Sequence, residues 1–213
     1  MEFELRGRSL EEIQDFVFAH PVPTIQDEPG WWFEAVVEFE PEEYVTRLTE
    51  MFRDPAGLRT RYTREELEQG FWMLISGADT SLESLFWHTA VPWEAREALI
   101  QATVDLYEKL FAFEPLDTSV YMFWDALAYD YCVPTRYPET DSEDGRIQDA
   151  MFSALTQILR IDSITCQMAA LHGLGHLRHR DTEPAIKAYL ASSPSLADEQ
   201  RQYALACISG DIE

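Results

Sequence analysis

The chain has 213 residues, 46% of them hydrophobic and 13% aromatic, enough to bury one substantial core or two small ones and too apolar for a disordered chain. Acidic residues outnumber basic ones 39 to 16, and the net charge of −23 makes a surface that disfavours nucleic acid and anionic lipid and favours basic partners. The apolar run Phe71–Ile75 is far short of the ~18–20 residues of a membrane span, and MEFELRGRSLEE lacks the basic-then-apolar layout of a signal peptide.

Cys132, Cys166 and Cys207 are an odd number without paired spacing, and all three sit in apolar helical contexts. That pattern reads as buried thiols in a reducing compartment, so a soluble, cytoplasmic protein is expected. Fourteen of the 16 basic residues are Arg, a bias associated with GC-rich bacterial genomes. No dinucleotide, P-loop or nucleophile-elbow motif is present, and no cofactor is expected.

Along the chain, Phe3 and Leu5 alternate in MEFEL, as do Trp31, Phe33, Ala35, Val37 and Phe39 in WWFEAVVEF. Alternation predicts a small two-stranded element near the N-terminus, with a buried helix as the other reading of residues 31–39. Ser9 with Glu12 and Thr63 with Glu66 are capping boxes, in which hydroxyl and carboxylate satisfy free backbone N–H groups at a helix start. Pro41 and Pro92 suit first turns of helices, where a missing N–H costs nothing. Tyr121, Trp124, Ala128 and Tyr131 follow one face of a helix spanning about 118–132. On that helix Trp124, Asp125, Tyr129 and Asp130 are the candidates for contacting a basic partner through aromatic anchors and carboxylates.

VPTRYPETDSEDGR (133–146), with two prolines, a glycine and four acids, reads as a linker between an N-terminal helical portion (1–132) and residues 147–213. From Ile147 the apolar residues Ile147, Ala150, Met151, Ala154, Leu155, Ile158 and Leu159 form a helical stripe that no strand produces. Shifting the chain by 35 residues lays 148–177 on 183–212 without a gap. Met151 then falls on Ile186, Leu155 on Leu190, Ala169 on Ala204, Gly175 on Gly210 and Leu177 on Ile212. A period of about 35 with two helices per unit is the mark of an α-solenoid, whose small residues on the second helix let neighbours approach closely.

Through CQMAALHGLGHL, then TEPAIKAYL and RQYALACISGDI, residues 147–213 resemble the HEAT-like repeats found in phycobilisome lyases. The resemblance implies a mainly α fold, a helical bundle running into a short α-solenoid. It departs from the family pattern at Gln167, where an arginine is usual, although Arg201 stands near the matching place of the next unit. The fold hosts both binders and enzymes, so it implies no activity by itself. Deoxyhypusine hydroxylases build a di-iron site on such repeats from His-Glu pairs, and no His here is followed by Glu. DNA glycosylases of this architecture need a basic groove, which a chain of charge −23 does not favour.

His172, His176 and His179 stand at i, i+4 and i+7, the spacing that lines one helix face and that could gather a metal ion. Against a metal, Gly175 aligned with Gly210 places the helix end near His179, and His-Glu-x-x-His is absent. The expectation is a non-catalytic module binding a basic protein, in one form an immunity or antitoxin-like protein against a basic toxin. The alternative is a metal-dependent enzyme, or a small-molecule or chromophore binder, using the face of His172, His176 and His179.

Overall fold

A computed structural model describes residues 1–23, 29–129, 142–210 and 212. Among them the chain is mainly helical, with eleven α-helices and one two-stranded parallel sheet, and no helix is long and apolar enough to cross a membrane. It divides into two compact units, Met1–Ser119 and Val120–Glu213. The division falls ahead of the 133–146 stretch expected to separate two parts; residues 130–141 lie outside those described, and 142–146 open a helix.

In the first unit β1 (Glu2–Glu4) and β2 (Val36–Glu38) pair with Glu2 opposite Val36, Phe3 opposite Val37 and Glu4 opposite Glu38. Pleating turns Phe3 and Val37 inward and leaves the flanking pairs exposed. The two-stranded element expected from alternation is therefore present, but in WWFEAVVEF only Val36–Glu38 is strand. Trp31–Glu34 winds into a 3₁₀ turn instead, with the Trp31 ring stacked on His20 at 3.5 Å between centroids.

α1 (Leu10–Phe18) and α4 (Arg64–Ser76) both start on the capping boxes read from the sequence, Ser9 with Glu12 and Thr63 with Glu66. α2 (Pro41–Arg53) lies along α6 (Trp93–Leu106), burying Tyr44, Val45, Leu48, Met51 and Phe52 against a face carrying Leu99, Ile100 and Leu106. α1 packs on α2 and α4, and Gly70 of α4 leaves the room that the Phe18 ring takes. α3 (Leu58–Arg61) and α5 (Leu82–Phe86) are short connectors, and α6 runs on into a π-helical turn at Tyr107–Phe111. The Glu68 carboxylate of α4 accepts from the backbone N–H groups of Asp117, Thr118 and Ser119, each at 3.0 Å.

The second unit is built from α7 (Ser119–Tyr129, whose first residue closes the first unit), α8 (Glu143–Ile158), α9 (Ile164–Leu177), α10 (Thr182–Ser192) and α11 (Asp198–Ser209). The predicted stripe of α8 is buried from Ile147 to Leu159. α8 pairs with α9, α10 with α11, and α9 packs on α11. Glycines set the approach of these helices. A Cβ on Gly173 would sit 2.6 Å from Trp124 Cβ and 2.7 Å from Leu155 Cδ2, so α9 meets both α7 and α8 there. A Cβ on Gly175 would meet Cys207 Cα at 3.3 Å, which makes Gly175 a packing residue inside α9 and not its end. The end is Arg178, left-handed at φ 49°, and α11 ends in the same way at Gly210 (φ 67°).

The Gln167 and Arg201 positions do comparable work. Gln167 Nε2 donates to the Ile161 carbonyl at 2.8 Å, and Arg201 Nη2 donates to the Ser193 carbonyl at 3.2 Å. Each side chain thus ties the start of its own helix, α9 or α11, to the turn before it.

Candidate functional site

α9 carries His172 and His176 one turn apart, and close packing at Gly173 brings the helix against α7, which carries Asp125. His176 Nε2 lies 2.8 Å from Asp125 Oδ1, and His172 Nε2 lies 3.5 Å from the same oxygen. The two imidazoles meet nearly edge to face, with centroids 4.5 Å apart. His172 is completely buried and its Nε2 makes no hydrogen bond among the described residues, whereas Asp125 keeps about a third of its side chain (32%) in solvent.

The far side of His172 is held by α11. Its Nδ1 is 2.8 Å from the Tyr203 hydroxyl, which is in turn 2.5 Å from the Tyr121 hydroxyl. The Tyr121 ring lies against the His172 imidazole at 4.4 Å. Burial, and then the neighbouring His176, push the His172 pKa down to about 4, partly offset by Asp125. Burial also lowers His176, with Asp125 opposing and Arg178 assisting. Both rings are therefore neutral at pH 7 and keep a lone pair for a Lewis acid. Burial raises Tyr121 and Tyr203 and pushes the nearby Cys207 thiol up to about 12, so no thiolate is on offer.

His179 stands apart from this group. α9 ends at Leu177, and the left-handed Arg178 swings His179 away from the helix face. His179 Nε2 donates to Asp149 Oδ1 at 2.8 Å, its Nδ1 accepts from the Asp181 N–H at 3.1 Å, and its ring stacks on Phe152 at 4.1 Å. With both nitrogens engaged, His179 pins α8 to the turn before α10. The structure thus gathers two of the three histidines and adds Asp125, a residue nominated in the sequence only as a partner contact. Asp125 lies 47 positions from His172, and nothing in the spacing of either helix joins them.

Of the other contact candidates, Trp124 is fully buried beside Gly173 and cannot serve as a surface anchor. Tyr129 ends α7, and Asp130 lies outside the described residues.

No family model, curated protein or solved structure matches this chain.

A second region with the character of a contact surface lies in the first unit. The outward side of the β1–β2 sheet presents Glu2, Glu4 and Glu38 beside Val36, which is 62% exposed. Phe33, three residues before β2, is 68% exposed with its ring stacked on Trp32 at 5.7 Å. Arg6 bridges Glu4 and Glu38 and, through its hydrogen bonds, holds the Glu4 carboxyl down at about 2. Glu4 is therefore charged throughout the physiological range.

Proposed function

We propose that the protein is a non-catalytic binding module that engages a basic protein through its first unit. The observation that carries this reading is the outward sheet face, where Glu2, Glu4 and Glu38 share a side with the exposed Val36 and Arg6 offsets only part of their charge, in a unit that also exposes Phe33. Exposed apolar side chains beside a net negative charge favour a partner with an apolar contact flanked by basic residues. The sequence of this unit, 25 acidic residues against 9 basic, supplies a long-range field of the same sign.

In its most specific form the module is immunity or antitoxin-like, neutralising a basic toxin such as a nuclease in a bacterial cytoplasm. The buried thiols of Cys166 and Cys207, not joined in a disulfide, are in keeping with a reducing compartment. We read α8–α9 and α10–α11 as two HEAT-like units. The 35-residue offset, the packing of α9 on α11 and the parallel ties made by Gln167 and Arg201 support that reading.

The test is capture from a lysate of the source organism, followed by pairwise titration of the captured protein. A basic protein is expected whose affinity falls as salt rises and drops about tenfold or more when Phe33→Ala removes an exposed aromatic contact. A partner bound equally well by Phe33→Ala and at all salt concentrations would sink the assignment, as would no capture at all.

A further inference from the structure

We infer that Asp125, His172 and His176 form a mononuclear site for a divalent first-row transition metal, with coordination positions left for water or a ligand oxygen. The inference is independent of the partner reading, because it rests on a different unit and on different side chains.

The donor atoms are already assembled. One ligand atom from each residue, Nε2 of the two imidazoles and a carboxylate oxygen of Asp125, lies within 4.8 Å of the others. Metal–nitrogen and metal–oxygen bonds of about 2.0–2.2 Å at tetrahedral angles place ligand atoms about 3.3 Å apart. The His172–Asp125 separation of 3.5 Å already fits, and the His176–Asp125 separation of 2.8 Å needs an opening of about half an ångström, within reach of a carboxylate rotation. Two imidazoles with one carboxylate suit zinc, iron, cobalt or manganese and do not suit calcium or magnesium, which take oxygen ligands.

His172 is the second, independent sign. A fully buried Nε2 without a hydrogen-bond partner has paid desolvation for no visible return, and it faces the carboxylate. The outer hydrogen bonds are those a ligand histidine needs. If His172 Nδ1–H donates to the Tyr203 oxygen and Tyr203 O–H donates to Tyr121, Nε2 is left with its lone pair directed into the site. Tyr203 is then a positioning residue, fixing tautomer and ring orientation from α11 as carboxylates or carbonyls do at other metal sites. Three protein ligands are the number found in open sites, whereas closed structural zinc sites use four. The partly exposed Asp125 provides the side from which an ion and its waters enter.

The experiment uses the full chain, purified without an affinity tag, stripped with a chelator and titrated with Co2+ followed by visible absorption, with Zn2+ as competitor. One equivalent of Co2+ is expected, with the intense spectrum of a low-coordinate, imidazole-ligated ion. Co2+ held loosely by surface carboxylates stays six-coordinate and almost colourless. Asp125→Asn and His176→Gln are expected to lower affinity at least ~10-fold, and Tyr203→Phe about tenfold with the stoichiometry kept. His179→Gln is expected to bind like the parent. Asp125→Asn, at a partly exposed position, keeps the test open if His176→Gln fails to fold, and circular dichroism checks both. A colourless titration overturns the inference. So does an intense spectrum that survives both Asp125→Asn and His176→Gln, or one that His179→Gln abolishes.

Discussion

His20 shows how much one ring can be asked to do. Its Nε2–H donates to the Phe16 carbonyl at 2.8 Å, near the end of α1, and its face lies on Trp31. Phe3 and Phe16 meet it edge-on. Burial lowers its pKa below the ordinary 6.5, against the opposing effect of the Phe16 carbonyl, so folding favours the neutral ring. An unfolded His20 takes up its proton near pH 6.5, while the folded one resists until a lower pH. The stability it contributes is therefore complete above about pH 6.5 and is lost as the pH falls through the lowered value. His20→Phe keeps the stacked ring and removes the titration, giving up one hydrogen bond worth about 1 kcal/mol. The melting temperature of the variant should start lower at pH 7.5 and then fall less than that of the parent on going to pH 5. Parallel curves would show that His20 is not held neutral by the fold.

Among the elements, Glu68 of α4 gathers several hydrogen bonds on one side chain. Besides the three backbone N–H groups of residues 117–119, its oxygens accept from the hydroxyls of Thr118 and Ser119, both at 2.8 Å, and from Trp72 Nε1 at 3.0 Å. These N–H groups belong to the segment that closes the first unit and have no acceptor of their own there, so a carboxylate from α4 of the same unit satisfies them. Glu68→Ala should cost about 2 kcal/mol in chemical denaturation, and Glu68→Gln, which keeps one acceptor oxygen, about half of that. Equal stability of parent and Glu68→Ala would mean that water replaces the carboxylate without loss. Local signals of this chain were legible: the two capping boxes and the buried stripe of α8 follow from neighbours in sequence. Glu68 was not, because its partners lie about 50 residues away and a glutamate in a first helical turn or two looks like any other. The histidine site was half legible for the same reason. His172 and His176 share a face by helical geometry alone, but Asp125 joins them only through the close approach that Gly173 permits. His179 leaves the face because Arg178 adopts a left-handed backbone, for which an arginine gives no warning.

At the scale of the whole molecule the net charge of −23 acts on stability as well as on partners. Ion pairs such as Arg8–Glu12, Arg47–Glu50 and Lys187–Glu183 lie at the surface, where solvent screens them and each contributes little. With 39 acids and 16 bases, most carboxylates in the sequence have no cation to match them, so repulsion outweighs attraction. Salt screens both, with a Debye length that shrinks from about 30 Å at 0.01 M to about 10 Å at 0.1 M. Close pairs at 2.5–2.8 Å lose little over that range, whereas repulsions summed over longer distances lose most of their strength. The melting temperature should therefore rise by several degrees as sodium chloride goes from about 0.01 to about 0.3 M, with most of the gain complete by about 0.1 M. A fall over the same range would mean that the surface ion pairs govern stability. The same salt that tightens the free protein should weaken its hold on a basic partner, so the two titrations run in opposite directions from one cause.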